Sequence, residues 1–313
     1  MNLQNRQLQS HFNASSKSQF ETLENALLVR APAKINLSLL IADKRADGFH
    51  NLETIMSKIT FYDELIFEPT DKQGIELVCK GPNWAPAGRE NLIYKACQLF
   101  FNELNQPPKV KATLIKNIPA ASGLGGASSD AASTLLALNK LTQKPLSKQK
   151  LHSLAAELGS DVPFFLAGPL AFCSGRGEKI AEIKKNFHFN ALLILPGVTV
   201  STKRVYEQHK VDMTLFKSLN TQINHFIEQN RLDLITKMCA NMLAKASFKD
   251  NIRLTEIKTF VDRICCAPAC LSGSGSSLFR VFDDCDYAKY QVCRLEIEKV
   301  PKCKSIIVFD NQW

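Results

Sequence analysis

Residues 119–132 read PAASGLGGASSDAA, and their setting decides the fold. A strand-like run at 110–115 precedes them, and Leu135, Leu138 and Leu141 continue after them at helical spacing. The order is therefore strand, glycine loop, helix. Gly123, Gly125 and Gly126 allow backbone conformations closed to other residues and let amide groups come close to a ligand. The first turn of the following helix offers free N–H groups at the positive end of its dipole, with Ser128 and Ser129 as candidate caps. These features suit a phosphate; an ordinary structural loop with a helix cap is the plainer reading of the same residues. No Lys follows the last glycine, so this is not the G-x-x-x-x-G-K-[ST] loop. Ser128 or Ser129 stands near the third glycine of a dinucleotide fingerprint, which disfavours that fold as well.

Upstream, Ile35, Leu37, Leu39 and Ile41 alternate with Lys34, Asn36 and Ser38, so a strand over 27–41 carries those three polar residues on one face. Asp47-Gly48 supplies a turn, and a second extended stretch covers 52–60. A helix is expected over 92–104. Downstream, Ser147 opens a helix whose Leu151, Leu154, Ala155 and Leu158 share a face, and Gly159 ends it. Asp161 follows in GSDVPFFLAG, placed either to cap the next helix or to act as a catalytic base. A second small-residue loop, LSGSGSSLF at 271–279, precedes a strand at 278–282. Two such loops far apart in the chain suggest two walls around one ligand. A buried strand at 191–195 and the helical stretches after it point to a second lobe, with the boundary near Cys173.

A chain of 313 residues with 45% hydrophobic content can bury a large core in two lobes. Thirty-nine Lys and Arg against 30 Asp and Glu give a net charge of +9, but the basic residues are scattered. That pattern favours an anionic small molecule over nucleic acid. The ten cysteines lack a zinc pattern and read as free, buried thiols of a reducing cytosol. No run of about 18 apolar residues occurs, so the chain is expected to be soluble and cytoplasmic, without a membrane span. Residues 1–25 are polar and weakly periodic, an expected disordered extension with a transit peptide as the alternative. No G-x-S-x-G elbow is present, which argues against a serine hydrolase.

Taken together, PAKINLSL at 32–39, PAASGLGGASSDAA and LSGSGSSLF resemble the three ordered motifs of the GHMP kinase superfamily. RADGFHNLET at 45–54 and LGSDVPFFLAG at 158–168 narrow the resemblance to a branch whose substrate carries a cytidine diphosphate group. The resemblance covers the chain from about Leu27 onward. It implies a two-lobed α+β fold: an ATP-binding lobe of the ribosomal S5 domain 2-like type over 26–172, a C-terminal α/β substrate lobe over 173–313, and an active site in the cleft between them. It also implies ATP as co-substrate, Mg2+, a small-molecule alcohol as acceptor, and a monomer or weak homodimer.

Lys34 and Asp161 match the family's catalytic pair. The ATP-phosphate loop is matched by Pro119, Ala120, Ala121, Ser122, Gly123, Leu124, Gly125, Gly126, Ala127, Ser128 and Ser129, with Asn91 and Lys116 near the adenine. Asn36, His50, Gly273 and Ser274 match substrate contacts, His50 meeting the cytosine edge and Phe49 and Tyr206 sandwiching the base. Phe49 stands where many relatives have Tyr, which keeps the stacking face and loses a hydroxyl. No magnesium ligand set is identified; Ser129 and Asp130 are the candidates.

Overall fold

The structure, a computed structural model, describes residues 18–185 and 187–313. Its spine is a pair of long antiparallel strands. Strand β1 (Phe20–Thr22) lies on the edge of β2 (Leu27–Lys44), and β3 (His50–Pro69) runs back along nearly the whole of β2. The turn between them is the Asp47-Gly48 pair: Asp47 accepts from the Phe49 N–H, and Gly48 has φ 86°. The parallel pair β4 (Gly74–Lys80) and β5 (Lys109–Ile115) extends one half of β3, and the hairpin β6 (Leu170–Gly175) and β7 (Lys179–Glu182) extends the other, making seven strands.

Four helices cover this sheet: α1 (Leu92–Glu103), α2 (Gly126–Leu141), α3 (Lys148–Leu158) and α4 (Val162–Leu166). The Asn91 side chain caps α1 by accepting from Ile93 N–H, and Ser147 caps α3 through Lys150 N–H. The second sheet is antiparallel, in the order β11 (Lys304–Phe309), β8 (Asn190–Leu195), β10 (Leu278–Phe282), β9 (Cys270–Leu271). Helices α5 (Thr202–Gln208), α6 (Met213–Glu228), α7 (Leu232–Met238), α8 (Ala244–Asp250), α9 (Ile252–Cys265) and α10 (Tyr287–Glu298) accompany it.

There are two buried apolar clusters, and β2 feeds both. Leu27, Val29 and Ala31 pack with Ile93, Phe100, Leu135 and Phe164 under the first helices. Past a bulge at Pro32/Ala33, Ala33, Ile35 and Leu37 join Leu192, Ile194, Leu254 and Phe279 in the second cluster. The bulge reorients the strand between the two cores. Lys34, Asn36 and Ser38 are thereby buried at the seam between them, at 4%, 5% and 2% exposure.

Three expectations are corrected. The ordered chain begins before Leu27, because Phe20–Thr22 pairs with β2; the remainder of the 1–25 extension, residues 1–17, lies outside the described residues. The chain does not leave the first sheet near Cys173: Cys173 pairs with Thr54 on one side and Ile180 on the other, so the crossing to the second sheet follows Glu182. Finally, Cys239 and Cys270 form a disulfide, because the left-handed turn ending α7 brings the first beside β9. Cys97, Cys173, Cys265, Cys293 and Cys303 are buried free thiols as expected. Burial, opposed by a backbone hydrogen bond, pushes the Cys97 thiol up to about 12. Among the described residues, no helix is long and apolar enough to cross a membrane.

Candidate active site

The glycine loop is held in place from two sides. On β2, the Lys34 N–H donates to Leu124 O at 2.9 Å. From the 271–279 loop, Ser272 Oγ donates to Gly123 O at 2.9 Å and Ser277 N–H to Ser122 O at 2.9 Å. The two small-residue loops therefore meet. Gly123 has φ 79°, and a Cβ there would stand 2.1 Å from Ser272 O, so no side chain fits. Gly125, at φ 70°, is the left-handed residue from which α2 springs; a Cβ on it would strike the Phe165 ring at 2.9 Å and Lys34 Cγ at 3.1 Å.

Because the turn at Gly125 starts the helix early, Ser128 and Ser129 lie inside its first turn and do not cap it. Ser129 N–H already donates to Gly125 O, and its Oγ is buried without a partner. The N–H groups at the start of this 16-residue helix lack acceptors four residues back and carry the positive end of its dipole.

At the mouth of this loop, Lys34 Nζ lies 3.8 Å from Asp161 Oδ2 and donates to Asn36 Oδ1 at 2.6 Å. Asn36 Nδ2 in turn donates to Thr54 Oγ1 at 2.8 Å, which fixes the amide. Asp161 precedes α4, yet its side chain makes no capping hydrogen bond. The capping reading falls, and a carboxylate 40% exposed is left beside a lysine 5% exposed. Burial pulls the Lys34 ammonium below its ordinary value, with Asp161 opposing that pull. Cys173 lies close by; burial, then the Asp161 charge, pushes its thiol up to about 12, which leaves it neutral and unreactive.

The His50 and Tyr206 rings stand 6.0 Å apart, and His209 meets His50 edge-on at 6.4 Å. Ala42 O, 3.1 Å from His50 Nδ1, can only accept, so Nδ1 carries the hydrogen and the neutral ring offers Nε2 as an acceptor. Burial, with Asp161 adding to it, raises the Tyr206 phenol. Phe49 is 53% exposed, and the Arg176 guanidinium stands 5.2 Å over its ring. A Cβ added to Gly273 would lie 3.5 Å from Asn36 Oδ1 and from Gly123, and Ser274 Oγ pairs with Thr202 Oγ1 at 2.8 Å.

Asn91 and Lys116 have their polar atoms spent inside the protein. Asn91 caps α1 and donates to Pro86 O at 2.8 Å. Lys116 Nζ bridges Asp63 and Asp130 at 2.5 Å each, under Gly126. Burial works against the Lys116 charge, but the two carboxylates outweigh it and raise its pKa. Burial first, with the neighbouring Asp63 adding to it against Lys116, pushes the Asp130 carboxyl up to about 8. Asp130 Oδ1 and Ser129 Oγ are both buried, and no cluster of three or more His, Cys, Asp or Glu suited to a metal exists among the described residues. Among the described residues, then, no such cluster would hold Mg2+, and Asp130 Oδ2 is taken by Lys116.

Several contributors escaped the sequence reading. Ser272 also takes the Asn36 N–H, at 3.4 Å, and Asn241 Nδ2 donates to Leu271 O and Gly273 O at 2.9 and 2.8 Å. Phe165 forms the floor under Gly125. Ser272 lay within a quoted motif, but Asn241 reaches it only by a tertiary contact with no local signal.

Residues 91–169 match the family described as GHMP kinases N terminal domain. A Clostridium botulinum (strain Loch Maree / Type A3) protein named 4-diphosphocytidyl-2-C-methyl-D-erythritol kinase is 36% identical over 267 residues, 85% of this chain and 94% of that protein. A solved 4-(cytidine 5'-diphospho)-2C-methyl-D-erythritol kinase superposes with a TM-score of 0.71 at 28% identity, over 91% of this chain and 99% of that one. A Cytophaga hutchinsonii homoserine kinase superposes with the same TM-score of 0.71 but at 16% identity, over 95% and 98%, a likeness of fold alone.

Proposed function

The chain belongs to the GHMP kinase family and is a kinase, and from that premise we propose that it transfers the γ-phosphoryl group of ATP to the 2-hydroxyl of 4-diphosphocytidyl-2-C-methyl-D-erythritol, in the cytoplasm and as a monomer or weak homodimer. The product feeds isoprenoid precursor synthesis by the non-mevalonate route. The observation that carries this reading is the Lys34–Asp161 pair, 3.8 Å apart at the mouth of a glycine loop that opens onto a helix N-terminus.

Phosphoryl transfer asks mainly for alignment and for stabilisation of charge on the transferring group. The loop over 119–129 and the first amides of α2 hold the ATP phosphates. Lys34 puts its ammonium against the transferring group, with Asn36 and Thr54 fixing its direction. Asp161 takes the proton of the attacking hydroxyl as the new oxygen–phosphorus bond forms and the bond to the leaving oxygen of ADP breaks. Magnesium bound with ATP would supply further neutralisation of the phosphate charge.

On the substrate side, His50 Nε2 accepts from the exocyclic amino group of cytosine, and Phe49 and Tyr206 cover the faces of the ring. A base held at this end positions the polyol at Asp161. ADP release by the purified protein with magnesium, measured on this substrate and on mevalonate and homoserine, tests the assignment. Turnover with the cytidine-bearing substrate alone is expected. Turnover with a control alone keeps the kinase and removes the substrate; nucleotide binding without turnover on any of the three favours a regulator.

A further inference from the structure

We propose that Lys58 is a positioning residue that clamps the far end of α4 and so sets the place of Asp161 and of the floor beneath the glycine loop. The proposal rests on the phosphoryl-transfer reading above. Lys58 is the register partner of Lys34 across the β2–β3 ladder and is 2% exposed. Two lysines opposed in a sheet interior destabilise it unless each finds its own partner. Lys34 has Asp161 and Asn36, at the start of α4. Lys58 Nζ donates to Phe165 O at 3.2 Å and Ala167 O at 2.7 Å, at its end.

Helix α4 has five residues, too few to hold a fixed direction unaided. Its terminal carbonyls lack intrahelical donors and form the negative end of the dipole, where an ammonium is best placed. The exit is tied twice more: Lys58 N–H donates to Pro169 O at 2.8 Å, and Glu182 Oε1 accepts from Gly168 N–H at 3.0 Å. Phe165, whose carbonyl Lys58 holds, is also the residue whose ring lies against Gly125. A shift of α4 therefore moves the carboxylate at one end and the phosphate-loop floor in the middle. Lys58 holds the backbone of Phe165, while the Asp161 carboxylate pairs with Lys34. Burial draws its ammonium down to about 7, a cost that an apolar residue at this position would not carry.

The test compares Lys58→Met, Glu182→Ala and Asp161→Asn with the wild type in steady-state kinetics, with amide hydrogen exchange over 162–168. Misplacement by about 1 Å lowers turnover by up to ~10²-fold, so Lys58→Met is expected to lose roughly 10- to 100-fold in kcat with both KM values within about twofold. Exchange of the α4 amides should rise. Glu182→Ala should move the same quantities less far, and it decides the matter if Lys58→Met does not fold. A kcat that stays at the wild-type value while exchange rises overturns the clamp, as does a loss matched by the unfolded fraction. Full activity in Asp161→Asn removes the proposed reaction instead, whatever Lys58→Met does.

Discussion

Replacing Gly123 by Ala forces the two loops apart. The new Cβ meets Ser272 O at 2.1 Å, and both partners are backbone, so the loops must separate by on the order of 1 Å. An L-residue held at φ 79° costs roughly 1–2 kcal/mol, and losing the Ser272–Gly123 hydrogen bond costs about 1 kcal/mol more. Gly88 provides the comparison: it has nearly the same φ, 75°, but nothing lies within 4 Å of an added Cβ. Gly88→Ala should therefore cost only the backbone term, about 1–2 kcal/mol, and Gly123→Ala at least ~1 kcal/mol beyond that. Urea midpoints of both variants measure the difference, and the ATP KM should rise in Gly123→Ala alone. Equal midpoints with an unchanged KM would refute the claim that the two loops are held together at this contact.

Asp161→Asn should lower kcat by about 10²- to 10⁴-fold while ATP affinity, measured by equilibrium binding, stays near that of the wild type. Phe49→Ala should weaken the cytidine-bearing substrate by about 1–3 kcal/mol, seen as a raised KM with little change in kcat; an unaltered KM removes Phe49 from the base site. For Lys58 the folded pKa, about 7, lies below the ordinary 10.5, so the unfolded chain binds the proton more tightly between those values. The cost is fully present below pH 7 and fades as pH rises toward 10.5. Stability of the wild type relative to Lys58→Met should therefore increase by up to about 4 kcal/mol from pH 7 to pH 10 in urea titrations. A gap independent of pH would show that Lys58 keeps its ordinary pKa and its charge in the folded protein across this range.

Elements with strong local signals were legible in the sequence. The Ser147 cap, the Asp47-Gly48 turn and the 278–282 strand depend on neighbours in the chain and stand where their residues place them. The shared face of Lys34 and Asn36 was also legible from alternation; the register shift between Asn36 and Ser38 was not. Nor was the burial of that face between two cores, since that depends on where the second sheet packs. The same limit explains Asp161, whose local sequence fits a cap as well as a base; the absence of a capping bond removes the cap, and the proposed base role rests on the nearness of Lys34. Lys116, which the family resemblance implies lies near the adenine, is a further case: its pairing with Asp63, 53 positions away, and with Asp130 has no local signal. The Cys239–Cys270 disulfide is likewise a product of tertiary placement, which cysteine spacing does not reveal.

The most direct measurement is a single-turnover rapid-quench experiment, with phosphorus NMR of the product, in which wild type and Asp161→Asn are each saturated with ATP, magnesium and 4-diphosphocytidyl-2-C-methyl-D-erythritol. The account predicts a new phosphomonoester on the 2-hydroxyl with the wild type, and the same product formed at least ~10²-fold more slowly with the variant. Phosphate appearing at another position, or at equal rates in both proteins, would contradict it.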